Sequence, residues 1–250
     1  MIDLHCHLLP AIDDGAQSLE ETLALARQAV EDGIHTVVAT PHFRHPVDFQ
    51  QQLQARKNAL QATREALQRE NIPLNLLEGG EITANGHLFR EVFPKFPALL
   101  LPTPPDSTPT ALVELPLDLE VTHAQGLLFE AQLNGFQLLL AHPERYPGFR
   151  NNIPLLKSLL DKGILLQFNQ ESLRTGFFHA RHAKPILDLM AYAPQQVFLA
   201  SDAHHPTFRP CRLSLAKTLV TQTLGENSWS LMTFHNQQRI MGLKSPLPPL

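Results

Sequence analysis

The sequence predicts an α/β barrel, with parallel strands alternating with outer helices in seven βα units. Strand-like and helix-like apolar patterns alternate from one end of the chain to the other. No linker-like segment and no repeated motif divides it. Length alone leaves the choice open, since 250 residues hold one α/β barrel or two small domains. A doubly wound open sheet is the alternative arrangement of the same units.

The first strand is Ile2-Asp3-Leu4-His5-Cys6-His7, followed by the polar loop Asp13-Asp14-Gly15. Ser18-Leu19-Glu20-Glu21 is a capping box that opens a helix with Leu19, Leu23, Ala26 and Val30 at helical spacing, and Gly33 stops it. Thr36–Thr40 reads as a buried strand ended by Pro41. A long amphipathic helix follows, carrying Phe49, Leu53, Leu60 and Leu67 on one face. Ile72–Leu77 is the third strand and leads into Glu78-Gly79-Gly80-Glu81. Phe93–Thr110 is proline-rich and reads as an irregular connection. Ala111–Leu115, Gln137–Ala141, Ile164–Asn169 and Val197–Ser201 are the remaining strands. Helices are expected over Glu120–Gly135, Ile153–Lys162 and His179–Ala193. Two further helical segments precede a Pro-rich tail at 243–250, and residues 1–250 are expected to form one domain.

Composition narrows the classes. Apolar residues make up 43% and charged residues 18%, as in an ordinary globular protein with a large core. A net charge of −4 gives no broad cationic surface for nucleic acid. Cys6 and Cys211 make no disulfide framework and suit a reducing cytoplasm. No apolar run approaches the ~20 residues of a membrane span, so no direct membrane insertion is expected.

Thirteen histidines are plentiful for this length. His5 and His7 alternate on one strand, so they project to the same side about 6–7 Å apart along the chain. Two imidazoles converging on one point are better explained by a metal ion than by packing. Asp202-Ala203-His204 repeats that spacing after the last strand. Between them, Asp14 lies in the first loop, His42 follows the second strand and Glu81 the third. Glu114 sits near the end of the fourth strand and His142 follows the fifth. In barrels the carboxyl ends of strands form the active face, so these nine residues would meet at one mouth. Imidazole and carboxylate without thiolate suit Mn²⁺, Fe²⁺ or Zn²⁺, and nine donors suffice for two or three ions. Asp13 could substitute for Asp14. His205, His123, His179, His182 and His235 read as surface or packing residues.

Arg145, three residues beyond His142, could hold a phosphate bidentately. Arg209 and Arg44 stand in neighbouring loops as further candidates. A thiol mechanism does not fit, because the sixth residue after Cys6 is Ile12 and after Cys211 is Lys217, where such an enzyme needs arginine.

His5-x-His7, Asp13-Asp14-Gly15, Thr40-Pro41-His42, Gly80-Glu81-Ile82, Glu114, His142-Pro-Glu-Arg-Tyr146, Gln167-x-Asn169 and Ser201-Asp202-x-His204 together resemble the PHP (polymerase and histidinol phosphatase) superfamily. Within it they look most like the bacterial capsular-polysaccharide tyrosine-protein phosphatases of the CpsB/YwqE type. The resemblance implies a distorted (β/α)7 TIM-like barrel with a metal cluster, commonly manganese. It implies that His5, His7, Asp14, His42, Glu81, Glu114, His142, Asp202 and His204 are ligands. Arg145 and Arg209 would hold phosphate, with Asp14 or a site histidine as the acid. The implied partner is a phosphotyrosine protein, a bacterial tyrosine autokinase that controls exopolysaccharide synthesis. A small-molecule phosphatase of the histidinol phosphate type, a TatD-like or amidohydrolase enzyme, and a non-catalytic barrel binding a kinase tail or sugar phosphate are the rivals.

Overall fold

The computed structural model describes residues 1–43, 49–84, 88–150, 152–174 and 180–243. Arg44, His179 and all but the first residue of the Pro-rich tail lie outside them. The strands are β1 (Ile2–Cys6), β2 (Thr36–Ala39), β3 (His42–Phe43), β4 (Asn75–Glu78), β5 (Glu81–Thr83), β6 (Thr110–Glu114), β7 (Gln137–Ala141), β8 (Leu165–Asn169) and β9 (Val197–Ala200). The helices are α1 (Leu19–Glu31), α2 (Phe49–Arg69), α3 (Val121–Leu133), α4 (Ile153–Asp161), α5 (Ala180–Tyr192), α6 (Lys217–Leu224), α7 (Glu226–Ser230) and α8 (Asn236–Met241). Where two closing helices were expected, three short ones follow β9, with a π-helical stretch at Leu231–His235 between the last two.

Every strand pair is parallel. The ladders form one sheet in the order β1-β2-β4 and another in the order β3-β5-β6-β7-β8-β9. Two of the expected strands are each followed, past a break, by a short second strand, β3 after β2 and β5 after β4, which is why there are two sheets. Pro41 has no N–H to give a ladder, and β2 stops before it. Gly79 and Gly80 break the other: a Cβ on Gly79 would lie 2.6 Å from Val38, and one on Gly80 would lie 3.1 Å from the Leu99 carbonyl oxygen. Backbone bonds carry the pairing across both breaks, from Gly79 N–H to Ala39 O and from Glu81 N–H to Pro41 O. At the other edge, Asp202 N–H donates to His5 O at 2.9 Å and His7 N–H to Ala203 O at 2.8 Å. These bonds join the end of β9 to β1. Counting each broken pair as one strand, seven strand positions close into the expected barrel.

The interior is the inward row of each strand. Ile2, Leu4, Val38, Leu112, Leu139, Ala141, Leu165 and Phe198 form one buried cluster, closed at one end by Ile240 and Met241 of α8. The alternate residues, such as Val37, Leu138, Leu140, Leu166 and Leu199, pack outward with the helices. Helix α1 starts at its expected cap, where Ser18 Oγ accepts the Glu21 N–H, and ends at Gly33 with φ of 82°. Arg56 of α2 is wholly buried and pins the Gly79 break. It donates to the Gly79 carbonyl at 2.9 Å, pairs with Glu78, and lies 5.2 Å over the Phe43 ring.

Candidate metal centre

The mouth begins where the inward rows run past the apolar interior. On β8 that row continues from Leu165 to Gln167 and Asn169, and on β6 from Leu112 to Glu114. In β1 the alternation slips by one. Ile2 and Leu4 face the interior, whereas Asp3 and Cys6 both meet Cys211 on the outer side, at 3.5 and 4.0 Å. The register between β1 and β2 is irregular over this stretch. His5 and His7 are thereby turned into the mouth, and Cys6 away from it. The strand breaks do the same for the next pair: His42 opens β3, Glu81 opens β5, and they are register partners. His142 and Asp202 adopt left-handed φ values of 34° and 51°, strain of about 1–3 kcal/mol for residues other than glycine. That backbone turn aims both side chains inward.

All nine residues expected at the mouth meet there. Glu81 is central and fully buried. Its Oε2 lies 3.2 Å from His5 Nε2, 3.3 Å from His7 Nε2 and 3.0 Å from His42 Nδ1, and its Oε1 lies 2.8 Å from His142 Nε2. Asp202 Oδ1 is 3.4 Å from His5 Nε2 and 3.5 Å from His7 Nε2. Glu114 approaches His42 Nδ1 at 3.3 Å. Asp14 closes the outer side, 3.3 Å from His42 Nε2 and 3.8 Å from His204 Nε2.

A directional relay fixes the His5 tautomer. Asn169 Nδ2 donates to Asp202 Oδ2 at 2.6 Å, and Gln167 Nε2 donates to Asn169 Oδ1 at 2.8 Å. Gln167 Oε1 must then accept, so His5 Nδ1, 2.8 Å away, carries the proton. His7 Nδ1 likewise donates to Asp13 Oδ2 at 2.7 Å. Both Nε2 atoms of the neutral rings therefore present lone pairs, and they face each other at 3.1 Å. Around them, Glu81 Oε2, Asp202 Oδ1 and the Nδ1 atoms of His42 and His142 are buried without a hydrogen-bond partner among the described residues. Acceptors crowded this way repel unless cations lie among them.

The donor set therefore fits divalent ions. Four overlapping groups each bring their donor atoms within 4.8 Å of one another: His5–His7–Glu81, His5–His142–Asp202, His42–Glu81–Glu114 and His7–Asp14–His42–His204. Imidazole and carboxylate donors without thiolate suit Mn²⁺, Fe²⁺ or Zn²⁺. Protonation in the metal-free protein answers the same demand for positive charge. Burial pulls the His5 and His42 rings toward neutrality, but Glu81 with Asp202, and Glu114 with Glu81, push them up to about 9 and about 10. Burial would raise the Glu81 carboxyl, yet His5 and the other surrounding imidazoles hold it well below its usual range. His204 is the exception: burial, together with His7 and Arg209, lowers it to about 3.

Arg145 and Arg209 both reach the mouth. Arg145 Nη1 donates to Asp202 Oδ2 at 3.0 Å, and Arg209 pairs with the same oxygen. The sequence motifs contain the supporting residues but do not assign them these roles. Asp13, weighed as a substitute for Asp14, instead holds His7 from behind and accepts the His42 and Gly15 N–H groups. Gln167 and Asn169 form the relay, and Tyr146 Oη joins the ends of β6 and β7 by accepting Leu115 N–H and donating to Ala141 O. The signal for Gln167 and Asn169 was present: two amides on the inward parity of a strand otherwise made of apolar residues.

A parallel barrel with a histidine-carboxylate mouth of this kind, flanked by arginines, defines a metal-dependent hydrolase acting on an anionic substrate. The chain belongs to the CpsB/CapC family of capsular polysaccharide synthesis, whose model matches residues 1–242. It is 37% identical over 205 residues to the tyrosine-protein phosphatase YwqE of Bacillus subtilis strain 168, covering 82% of this chain and 78% of that one. It is 26% identical over 249 residues to the tyrosine-protein phosphatase CpsB of Streptococcus agalactiae serotype V, covering 96% and 98%. A solved structure from work on YwqE of Bacillus subtilis and CpsB of Streptococcus pneumoniae, described as unique metal-dependent tyrosine phosphatases, superposes with a TM-score of 0.78. It is 31% identical and covers 99% of this chain and 96% of its own.

Proposed function

We propose that this chain, acting as a single barrel domain, is a metal-dependent protein-tyrosine phosphatase. Two or three divalent ions, manganese foremost and iron or zinc as alternatives, would be held by His5, His7, Asp14, His42, Glu81, Glu114, His142, Asp202 and His204. The observation that carries this reading is the set of unpartnered, mutually repelling donor atoms at one mouth beside two arginines. Ions held by these residues would supply positive charge to the phosphoryl oxygens and would lower the pKa of the attacking water.

The chain's own residues do the rest. Arg145 is 45% exposed and spends one N–H on Asp202, which leaves the other edge of its fork for phosphate oxygens. Arg209 stands on the same carboxylate, so Asp202 orients both guanidinium groups toward one phosphoryl group. Charge on the equatorial oxygens of an in-line displacement is met by such positioned cations. Asp14, 60% exposed at the lip, or a site histidine would deliver the proton to the leaving oxygen. A phenolate leaves readily, so only modest acid assistance is needed. Neither thiol takes part, because Cys6 and Cys211 are buried behind β1.

The partner in this reading is a phosphotyrosine protein, a tyrosine autokinase that governs exopolysaccharide synthesis, met in the cytoplasm. None of the helices among the described residues is long and apolar enough to cross a membrane. EDTA should abolish hydrolysis of a phosphotyrosine peptide and Mn²⁺ should restore it. In a panel with histidinol phosphate and a phosphodiester, the peptide should be turned over fastest. Full activity after verified removal of metal would refute the reading.

A further inference from the structure

Beyond the arginines a second cavity of about 290 Å³ opens between α4 and α5. Ile153 and Leu156 of α4, Phe168 of β8, and Pro185, Ile186 and Leu189 of α5 form its apolar walls. Arg145 and Arg150 line both this cavity and the metal mouth, so the two adjoin across these side chains. One polar group in the wall is incomplete. Glu144 Oε1 accepts the Asn169 N–H at 2.9 Å and the Ser172 hydroxyl at 3.0 Å. Its Oε2 is buried with no hydrogen-bond partner among the described residues. A buried acceptor left this way costs about 1–3 kcal/mol until a donor reaches it.

We infer that this cavity is a specificity pocket for one residue flanking the phosphotyrosine of a polypeptide substrate: an apolar side chain with a hydrogen-bond donor at its tip. The inference rests on the phosphatase reading and adds what the site recognises outside the phosphoryl group. An extended peptide advances about 3.3 Å per residue, so a neighbour two or three positions away lies about 7–10 Å from the phosphotyrosine. Arg145, which lines both cavities, stands between the phosphoryl position and such a neighbour. The apolar walls select a large hydrophobic body over a short polar one. The unmatched Glu144 oxygen selects a donor at its end. Arg145 and Arg150, which line the cavity, disfavour lysine or arginine as that donor. Tyrosine meets all three demands, phenylalanine meets two, and alanine meets only the last.

The test uses the whole Mn²⁺-loaded protein and a set of peptides with one phosphotyrosine in an alanine background. Tyrosine, phenylalanine or nothing is placed at each of three positions on either side. At one or two positions tyrosine should raise kcat/KM about tenfold over alanine, with phenylalanine between them. Filling the cavity with Ile186→Trp, or separately Leu156→Trp, should erase that preference and lower the ratio of peptide to p-nitrophenyl phosphate turnover about tenfold. A flat response across all six positions in the unaltered protein overturns the pocket while leaving the phosphatase reading intact. An unchanged preference in a folded, cavity-filled variant overturns it as well. Absence of turnover on both p-nitrophenyl phosphate and peptides overturns the phosphatase reading and the pocket with it.

Discussion

Gln167→Leu removes the middle of the relay that sets the His5 tautomer while keeping a side chain of similar volume in a fully buried position. Two buried groups lose their partners: His5 Nδ1–H and Asn169 Oδ1. At about 1–3 kcal/mol for each, the folded protein loses about 2–6 kcal/mol. Only part of that bears on metal, because the free imidazole can reorient whereas a ligating one cannot. Loss of a partner that orients a metal ligand costs about 10–100-fold in affinity, or about 1.4–2.7 kcal/mol. Mn²⁺ titration followed by electron paramagnetic resonance of the free ion measures that share, and thermal melting of the metal-free protein measures the remainder. A variant with a lowered melting temperature but unchanged Mn²⁺ affinity would reduce Gln167 to packing and refute the relay.

Two further outcomes are expected. Tyr146→Phe strips a 2.9 Å bond from Leu115 N–H and a 3.0 Å bond to Ala141 O. At about 1–3 kcal/mol for each orphaned group, urea unfolding should show a loss of about 2–6 kcal/mol, and a loss within error would mean that water replaces the hydroxyl. The third concerns pH. With His5 raised to about 9 and His42 to about 10, their contribution to the metal-free fold is complete below about 6.5 and is lost as pH rises through those values. Calorimetry of the EDTA-treated protein should therefore show a falling melting temperature from pH 7 to 10. Metal affinity should rise over the same interval, because binding must displace those protons. A metal-free melting temperature that climbs with pH would contradict the assignment.

Much of the site was legible because ligand chemistry is local in sequence at each strand end. His5-x-His7 and Asp202-x-His204 are spacing signals, and both land at the mouth. Strand interruptions were not legible in the same way. A run such as Thr36–Thr40 shows where pairing starts, but the shift of His42 and Glu81 into a second sheet depends on Pro41, on two glycines and on Arg56 reaching from α2. The slip in β1 is likewise a consequence of its bonds to Thr40 and Ala203. Asp13 and Asp14 were indistinguishable as neighbours in one loop. Only the fold decides that Asp13 turns back to His7 and Asp14 outward to His42. The Glu144 carboxylate gave no warning at all, because its meaning lies in α4 and α5.

Anomalous diffraction from crystals grown with Mn²⁺ tests the central claim most directly. The account predicts two or three peaks within coordinating distance of His5, Glu81, His142, Asp202 and their neighbours, with Asp13 and Gln167 behind the ligands and outside the coordination sphere. An empty mouth in crystals whose protein hydrolyses phosphotyrosine, or peaks confined to other surfaces, would contradict it.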